Sequence, residues 1–93
     1  MPDIELSRPH SLGPDGALAA ATAVAERLER EHGIRTRREG DVIHVEGRGV
    51  KGRLLAGPDA VTVVATLGLT ARPFRRLLRR EIEAELDRLV PLP

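Results

Sequence analysis

Adjacent His10 and Ser11 are the pair in this chain most suggestive of chemistry, because an imidazole beside a hydroxyl could activate a nucleophile. Such a pair works only when a third group orients the base, and the members usually come from separate parts of a chain. Neighbours on a strand-to-helix connection seldom point at each other. The sequence therefore gives His10 and Ser11 a structural part, hydrogen-bonding backbone where the chain enters its first helix. The histidines His10, His32 and His44 follow neither the HExxH pattern nor His-x₃₋₅-His, and there is no cysteine, so no metal site is expected. His32 is expected in a last helical turn, where the helix dipole favours positive charge. Gly49-Val50-Lys51-Gly52 has a superficial likeness to a phosphate loop but lacks the Gly-x₄-Gly-Lys-[Ser/Thr] spacing and falls between two strands. Gly49 is expected to supply a positive φ in a turn, and Gly52 a bulge or the close approach of a helix over a sheet. No catalytic residue and no cofactor are named by these residues, and the chain reads as a non-enzyme.

Arg72, Arg75, Arg76, Arg79 and Arg80 carry a different chemistry. They crowd the opening of the last helical segment, and its acids Glu81, Glu83, Glu85 and Asp87 come only afterwards. A helix N-terminus is partly positive, so each cation there costs roughly 0.3–1 kcal/mol at low salt. The pairs Arg72–Arg76, Arg75–Arg79 and Arg76–Arg80 repel at i,i+4, and only Arg79–Glu83 offers relief, each worth roughly 0.2–0.5 kcal/mol. Three readings stay open. The run is a solvated face; or it pairs antiparallel with a second copy, setting Arg75–Arg80 against Glu81–Asp87; or it meets an anionic partner such as acidic protein, lipid head groups or nucleic acid. Lys51 is the only lysine among fifteen basic residues, and a guanidinium binds carboxylate or phosphate as a planar fork. A codon bias toward arginine is the plain alternative.

The elements that position these residues follow from a chain of 93 residues, read as one domain over residues 1–93. Its core must be aliphatic, since Phe74 is the only aromatic residue. A net charge of +1 gives little steering toward nucleic acid. The opening Met-Pro-Asp-Ile-Glu-Leu has no apolar signal-peptide run, and no stretch approaches the ~20 apolar residues of a membrane span. A cytoplasmic protein with no transmembrane segment is the expectation.

Ile4 and Leu6 alternate with Asp3, Glu5 and Ser7 as a first strand. Gly13-Pro14-Asp15 starts a helix over Ala17 to His32, with Ala17, Ala21, Val24, Ala25 and Leu28 on one face and Gly33 closing it. Ile34–Arg38, Val42–Glu46, Val50–Ala56 and Ala60–Leu67 read as strands, separated by turns at Glu39-Gly40-Asp41, Gly47-Arg48-Gly49 and Gly57-Pro58-Asp59. Thr70 is the expected N-cap of the final helix, whose apolar stripe is Phe74, Leu78, Ile82, Leu86 and Leu89, with Leu77 at its margin. The class is α+β: strand, helix, four strands, helix, an antiparallel sheet with both helices packed on one face. The inward set is Ile34, Thr36, Ile43, Val45, Val50, Leu54, Val61, Val63, Ala65 and Leu67. The outward set holds Arg35, Arg37, Val42, His44, Lys51, Arg53, Leu55, Thr62, Val64 and Thr66, half apolar and half basic, with Glu46 its only expected acid.

Three stretches, Ile4 through Gly13, Gly40 through Val45 and Gly49 through Leu54, together resemble the polyhydroxyalkanoic acid system family. Val61-Thr62-Val63 leading into Leu67-Gly68-Leu69, and the charged C-terminal helix, extend the likeness nearly end to end. One departure is His44-Val45, where such proteins often carry phenylalanine. The resemblance implies a small bacterial protein associated with polyhydroxyalkanoate storage granules, accessory or regulatory, with no catalytic residues to transfer. Its implied partner is the granule surface or a granule-associated protein. The candidate contacts are the arginine run and an outer sheet face of Arg37, Val42, His44, Lys51, Arg53, Leu55 and Val64. A nucleic-acid-binding regulator using the arginines, disfavoured by the lack of stacking aromatics, and a homodimeric scaffold are the alternatives.

Overall fold

The structure, a computed structural model, describes residues 2–90; Pro91 and Pro93, which close the sequence, lie outside the described residues. In chain order it contains β1 (Ile4–Pro9), α1 (Gly13–His32), β2 (Arg35–Glu39), β3 (Val42–Gly47), β4 (Val50–Ala56), β5 (Ala60–Leu67), a 3₁₀ turn (Arg72–Phe74) and α2 (Arg75–Leu89). The expected α+β class and element order hold, with all five strands in one open antiparallel sheet.

The sheet order is β1-β5-β4-β3-β2. Strands β2 to β5 form a meander joined by short turns, and β1 adds to the outer edge of β5 from Ile4↔Ala65 to Pro9↔Ala60. Since every neighbouring pair is antiparallel, the two edge strands β1 and β2 run the same way. A helix must therefore carry the chain from one edge to the other. At 1.5 Å per residue α1 is ~30 Å long, ample for a five-stranded sheet ~19 Å wide. Pro14 suits its first turn, as does Asp15. Gly33 ends it at φ 66°, donating its N–H to the Glu29 carbonyl at 3.1 Å.

Helix α1 buries Ala17, Ala20, Ala21, Val24, Ala25 and Leu28. They form one core with Ile43, Val45, Leu54, Ala56, Val61 and Val63 of the strands and Ile82 and Leu86 of α2. A smaller cluster gathers Ile4, Val50, Ala65, Leu67 and Ala71. The register aligns Ile4, Ala65, Gly52, Val45 and Thr36 in one row across all five strands. Gly52 sits in that row for want of space: a Cβ there would lie 2.2 Å from the Val64 carbonyl oxygen and 2.8 Å from Ala65 Cα. The crowding partner is thus the adjacent strand β5, and the expected helix approach is corrected. Close pairing of β4 with β5 brings backbone, not helix, against that position.

The β3–β4 hairpin turns through Arg48 and Gly49, with φ of 56° and 77°, between the paired Gly47 and Val50. Two positive φ angles give the loop a twist matching its strands. Arginine is a poor occupant of the first position because its Cβ crowds the backbone, whereas asparagine visits this region readily. Arg48→Asn is expected to raise the unfolding free energy by roughly 0.5–1 kcal/mol in a urea titration. A loss of stability would show that the guanidinium contributes more than the strain removes.

Thr70 does not cap α2. The 3₁₀ turn is preceded by Ala71 and α2 by Phe74, neither with a side-chain cap hydrogen bond. A capping hydroxyl accepts from the N–H two or three residues on. Three residues after Thr70 is Pro73, which has no N–H, and the Arg72 N–H already donates to the Gly68 carbonyl at 3.1 Å.

Candidate functional site

The three histidines lie at separate places. His10 is buried at 6% exposure, and both ring nitrogens meet backbone: Nε2–H donates to the Gly57 carbonyl at 3.0 Å, and Nδ1 accepts from the Leu12 N–H at 3.1 Å. Its own N–H donates to the Asp59 carbonyl at 3.0 Å. One imidazole thereby ties the entrance of α1 to the β4–β5 turn, the structural part read from the sequence. Ser11 is exposed beside it. His32 lies in the last turn of α1, as expected, and also reaches across to α2, its Nε2 2.8 Å from Glu81. His44 meets Glu39 on the sheet at 3.1 Å.

The acids of α2 are engaged one by one. Besides Glu81 with His32, Glu83 pairs with Arg79 at 3.0 Å, and Glu85 pairs with both Arg27 and Arg88 at 2.8 Å. Asp87 pairs with Arg8 of β1. Glu85, with its side chain only 14% exposed, is the most sheltered of them, whereas the exposed pairs contribute only ~0–1 kcal/mol each. These contacts fasten α2 to α1 and β1. They also leave the arginines behind: Arg72, Arg75, Arg76, Arg79 and Arg80 are all exposed, and only Arg79 has an acid partner within 4.0 Å among the described residues. Arg72 instead directs Nε to the Leu67 carbonyl at 3.4 Å. Pairing α2 with a second copy through the Glu81–Asp87 stretch would require these acids to leave partners they already have.

Beside the arginines the apolar surface is larger than the periodicity predicts. Phe74, expected in the buried stripe, is 60% exposed, and Leu77 is 52% exposed. The stripe that does enter the core is Ile82 and Leu86, with Leu78 and Leu89 partly buried against it. Phe74 fails because it ends the 3₁₀ turn and precedes α2, so the helical period does not run through it. Leu69, in the turn before, is 82% exposed, and no periodicity in the sequence marks it as a contact residue. A groove of about 690 Å³ runs alongside, between the end of α1, the β3–β4 turn and the start of α2. Ile34, Val50, Phe74, Leu77 and Leu78 supply its apolar lining, with Arg48 among its polar residues. A proline in a first turn is compatible with an α-helix, so the local sequence does not mark the change from 3₁₀ to α geometry at Arg75.

The structure also brings the outer sheet residues together. Arg37, His44, Arg53 and Val64 align in one cross-strand row, Val42 and Leu55 in the next, and Lys51 stands between Glu46 and Thr66. Val42, Leu55 and Val64 are half-buried, while Arg37, Lys51 and Arg53 are exposed. The expectation that Glu46 is the sole acid there is corrected. The register puts Glu39 beside Val42 and Glu5 beside Val64 on the same face. Glu39 contacts both His44 at 3.1 Å and Arg37 at 3.8 Å, and Glu46 lies 3.6 Å from Arg35. Strand β2 runs one residue further than read, and β1 brings its own acid to the sheet. Lys51 and Arg53 remain without an acid within 4.0 Å among the described residues.

No described helix is long and apolar enough to cross a membrane. No curated protein and no solved structure matches the chain. The sequence profile of the family described as "putative polyhydroxyalkanoic acid system protein" matches residues 4–90, from the first residue of β1 to just past α2, and the chain belongs to that family.

Proposed function

We propose that this protein is a non-enzymatic accessory or regulatory protein of bacterial polyhydroxyalkanoate storage granules, acting by binding at or near the granule surface. Family membership supports the setting. The observation that carries the mode of action is the cationic corner, where Arg75, Arg76 and Arg80 have no acid within 4.0 Å among the described residues while the acids of α2 are engaged elsewhere. A cluster of exposed guanidinium forks offers anions bidentate contacts. The outer sheet face, with Val42, Leu55 and Val64 between Lys51, Arg53 and Arg37, is a second surface for polymer or a granule protein.

Purified protein is expected to co-sediment with isolated granules, with retention falling as salt rises from about 0.05 to about 0.5 M because exposed charges are screened. Arg76→Glu/Arg80→Glu should lower retention at low salt. Retention no greater than that of an unrelated small protein overturns the proposal. The nucleic-acid alternative shares the arginines, but with a single aromatic residue the chain has little on which bases could stack.

A further inference from the structure

We infer that the corner made by the 68–71 turn, the 3₁₀ turn and the first turn of α2 docks onto an anionic phospholipid surface. Leu69, Phe74 and Leu77 are exposed by 82%, 60% and 52%, and they project from one short stretch of chain. Single exposed apolar residues are ordinary, but Phe74 and Leu77 line one groove together, and Leu69 lies in the turn just before them. Interleaved with them are Arg72, Arg75, Arg76 and Arg80, none with an acid within 4.0 Å among the described residues. The nearest acids of α2 do not cancel this charge, since Glu81 is held by His32 and Glu83 by Arg79.

Charge and apolarity together choose the occupant. A nucleic acid would satisfy the arginines but offers little to Leu69 and Leu77, and only Phe74 could stack on a base. An acidic peptide laid in the neighbouring groove would face Glu31 and Glu81 in its lining. A lipid surface presents phosphate outermost and hydrocarbon just beneath, so the guanidinium groups and the apolar tips are satisfied at different depths of the same layer. The granule reading supplies only the place where such a surface would be met, and the two can fail separately.

The chain has no tryptophan and no tyrosine, so Phe74→Trp installs a fluorophore without background at the proposed contact. With phosphatidylcholine–phosphatidylglycerol vesicles at about 7:3, the emission of this variant is expected to shift to the blue, and the protein to float with the vesicles. Phosphatidylcholine alone should give neither. Phe74→Ser/Leu77→Ser and Arg76→Glu/Arg80→Glu are each expected to weaken flotation about tenfold or more, while Leu12→Ser, an exposed residue outside the corner, leaves it unchanged. Equal flotation with and without phosphatidylglycerol, an unshifted indole emission from the Phe74→Trp variant, or full binding by Phe74→Ser/Leu77→Ser overturns the inference. Should that double variant unfold, the emission shift in the otherwise intact chain decides alone. Binding to vesicles but not to granules keeps this inference and sinks the granule reading; binding to granules but not to vesicles does the reverse.

Discussion

Gly52→Ala is expected to lower the thermal midpoint by roughly 5–15 °C, followed by far-ultraviolet circular dichroism. The new methyl group would begin 2.2 Å from the Val64 carbonyl oxygen, well inside contact distance. That oxygen belongs to the backbone of β5, which is paired with β4 on one side and β1 on the other and cannot turn aside as a flexible side chain would. Forcing atoms into a packed interior costs about 1–3 kcal/mol and occasionally more. The entropic gain from replacing glycine, about 0.4–1 kcal/mol, opposes this but is the smaller effect. In a domain of this size each kcal/mol moves the midpoint by roughly 4–8 °C. Gly40→Ala is the comparison. A Cβ at Gly40 meets nothing within 4 Å, so only its φ of 62° is strained and the loss should be about 1 kcal/mol. Equal midpoints for the two variants would mean that β4 and β5 separate freely, and the close approach would carry no weight. The effect reaches the outer face as well, since Lys51 and Arg53 flank Gly52 and would move with it.

The second large effect is expected at His10. His10→Ala removes the donor to the Gly57 carbonyl and the acceptor of the Leu12 N–H, leaving both without their partner in a part-buried setting. Unsatisfied buried groups cost about 1–3 kcal/mol, and the emptied space adds to it, so a loss of about 3 kcal/mol in urea unfolding is expected. His10→Asn should recover part of the loss, because its carbonyl oxygen can stand near the place of Nδ1. Ser11→Ala, at an exposed neighbour, should stay within ~0.5 kcal/mol of the parent. A stable His10→Ala protein would remove the structural reading and reopen the question of what a buried imidazole does there.

Both predictions rest on contacts between distant parts of the chain, and this is where the sequence stopped being legible. The strands β4 and β5 and the helix α1 were readable from local pattern, because alternation and the helical period are properties of neighbouring side chains. Gly33 was readable as a helix end for the same reason. Phe74 and Thr70 misled because the helical period was read from Thr70 onward, whereas a 3₁₀ turn occupies Arg72–Phe74 and α2 starts only at Arg75. The acids of the outer face misled because a strand's partner is not a local property: Glu5 reaches that face only once β1 has paired with β5.

By itself, then, the sequence determined the α+β class, the order of elements and which alternate strand residues face the core, since each follows from spacing over a few residues. It also determined that five arginines stand together at the start of the last helix. Only the tertiary structure decided that Asp87 meets Arg8 and Glu85 meets Arg27, contacts made between residues far apart in the chain. That choice leaves Arg75, Arg76 and Arg80 beside an exposed Leu69, Phe74 and Leu77. The physical reason is one of range. Side-chain periodicity acts over a few residues, whereas which charge neutralises which is settled only when helix and sheet bring distant residues to within a few ångströms of each other.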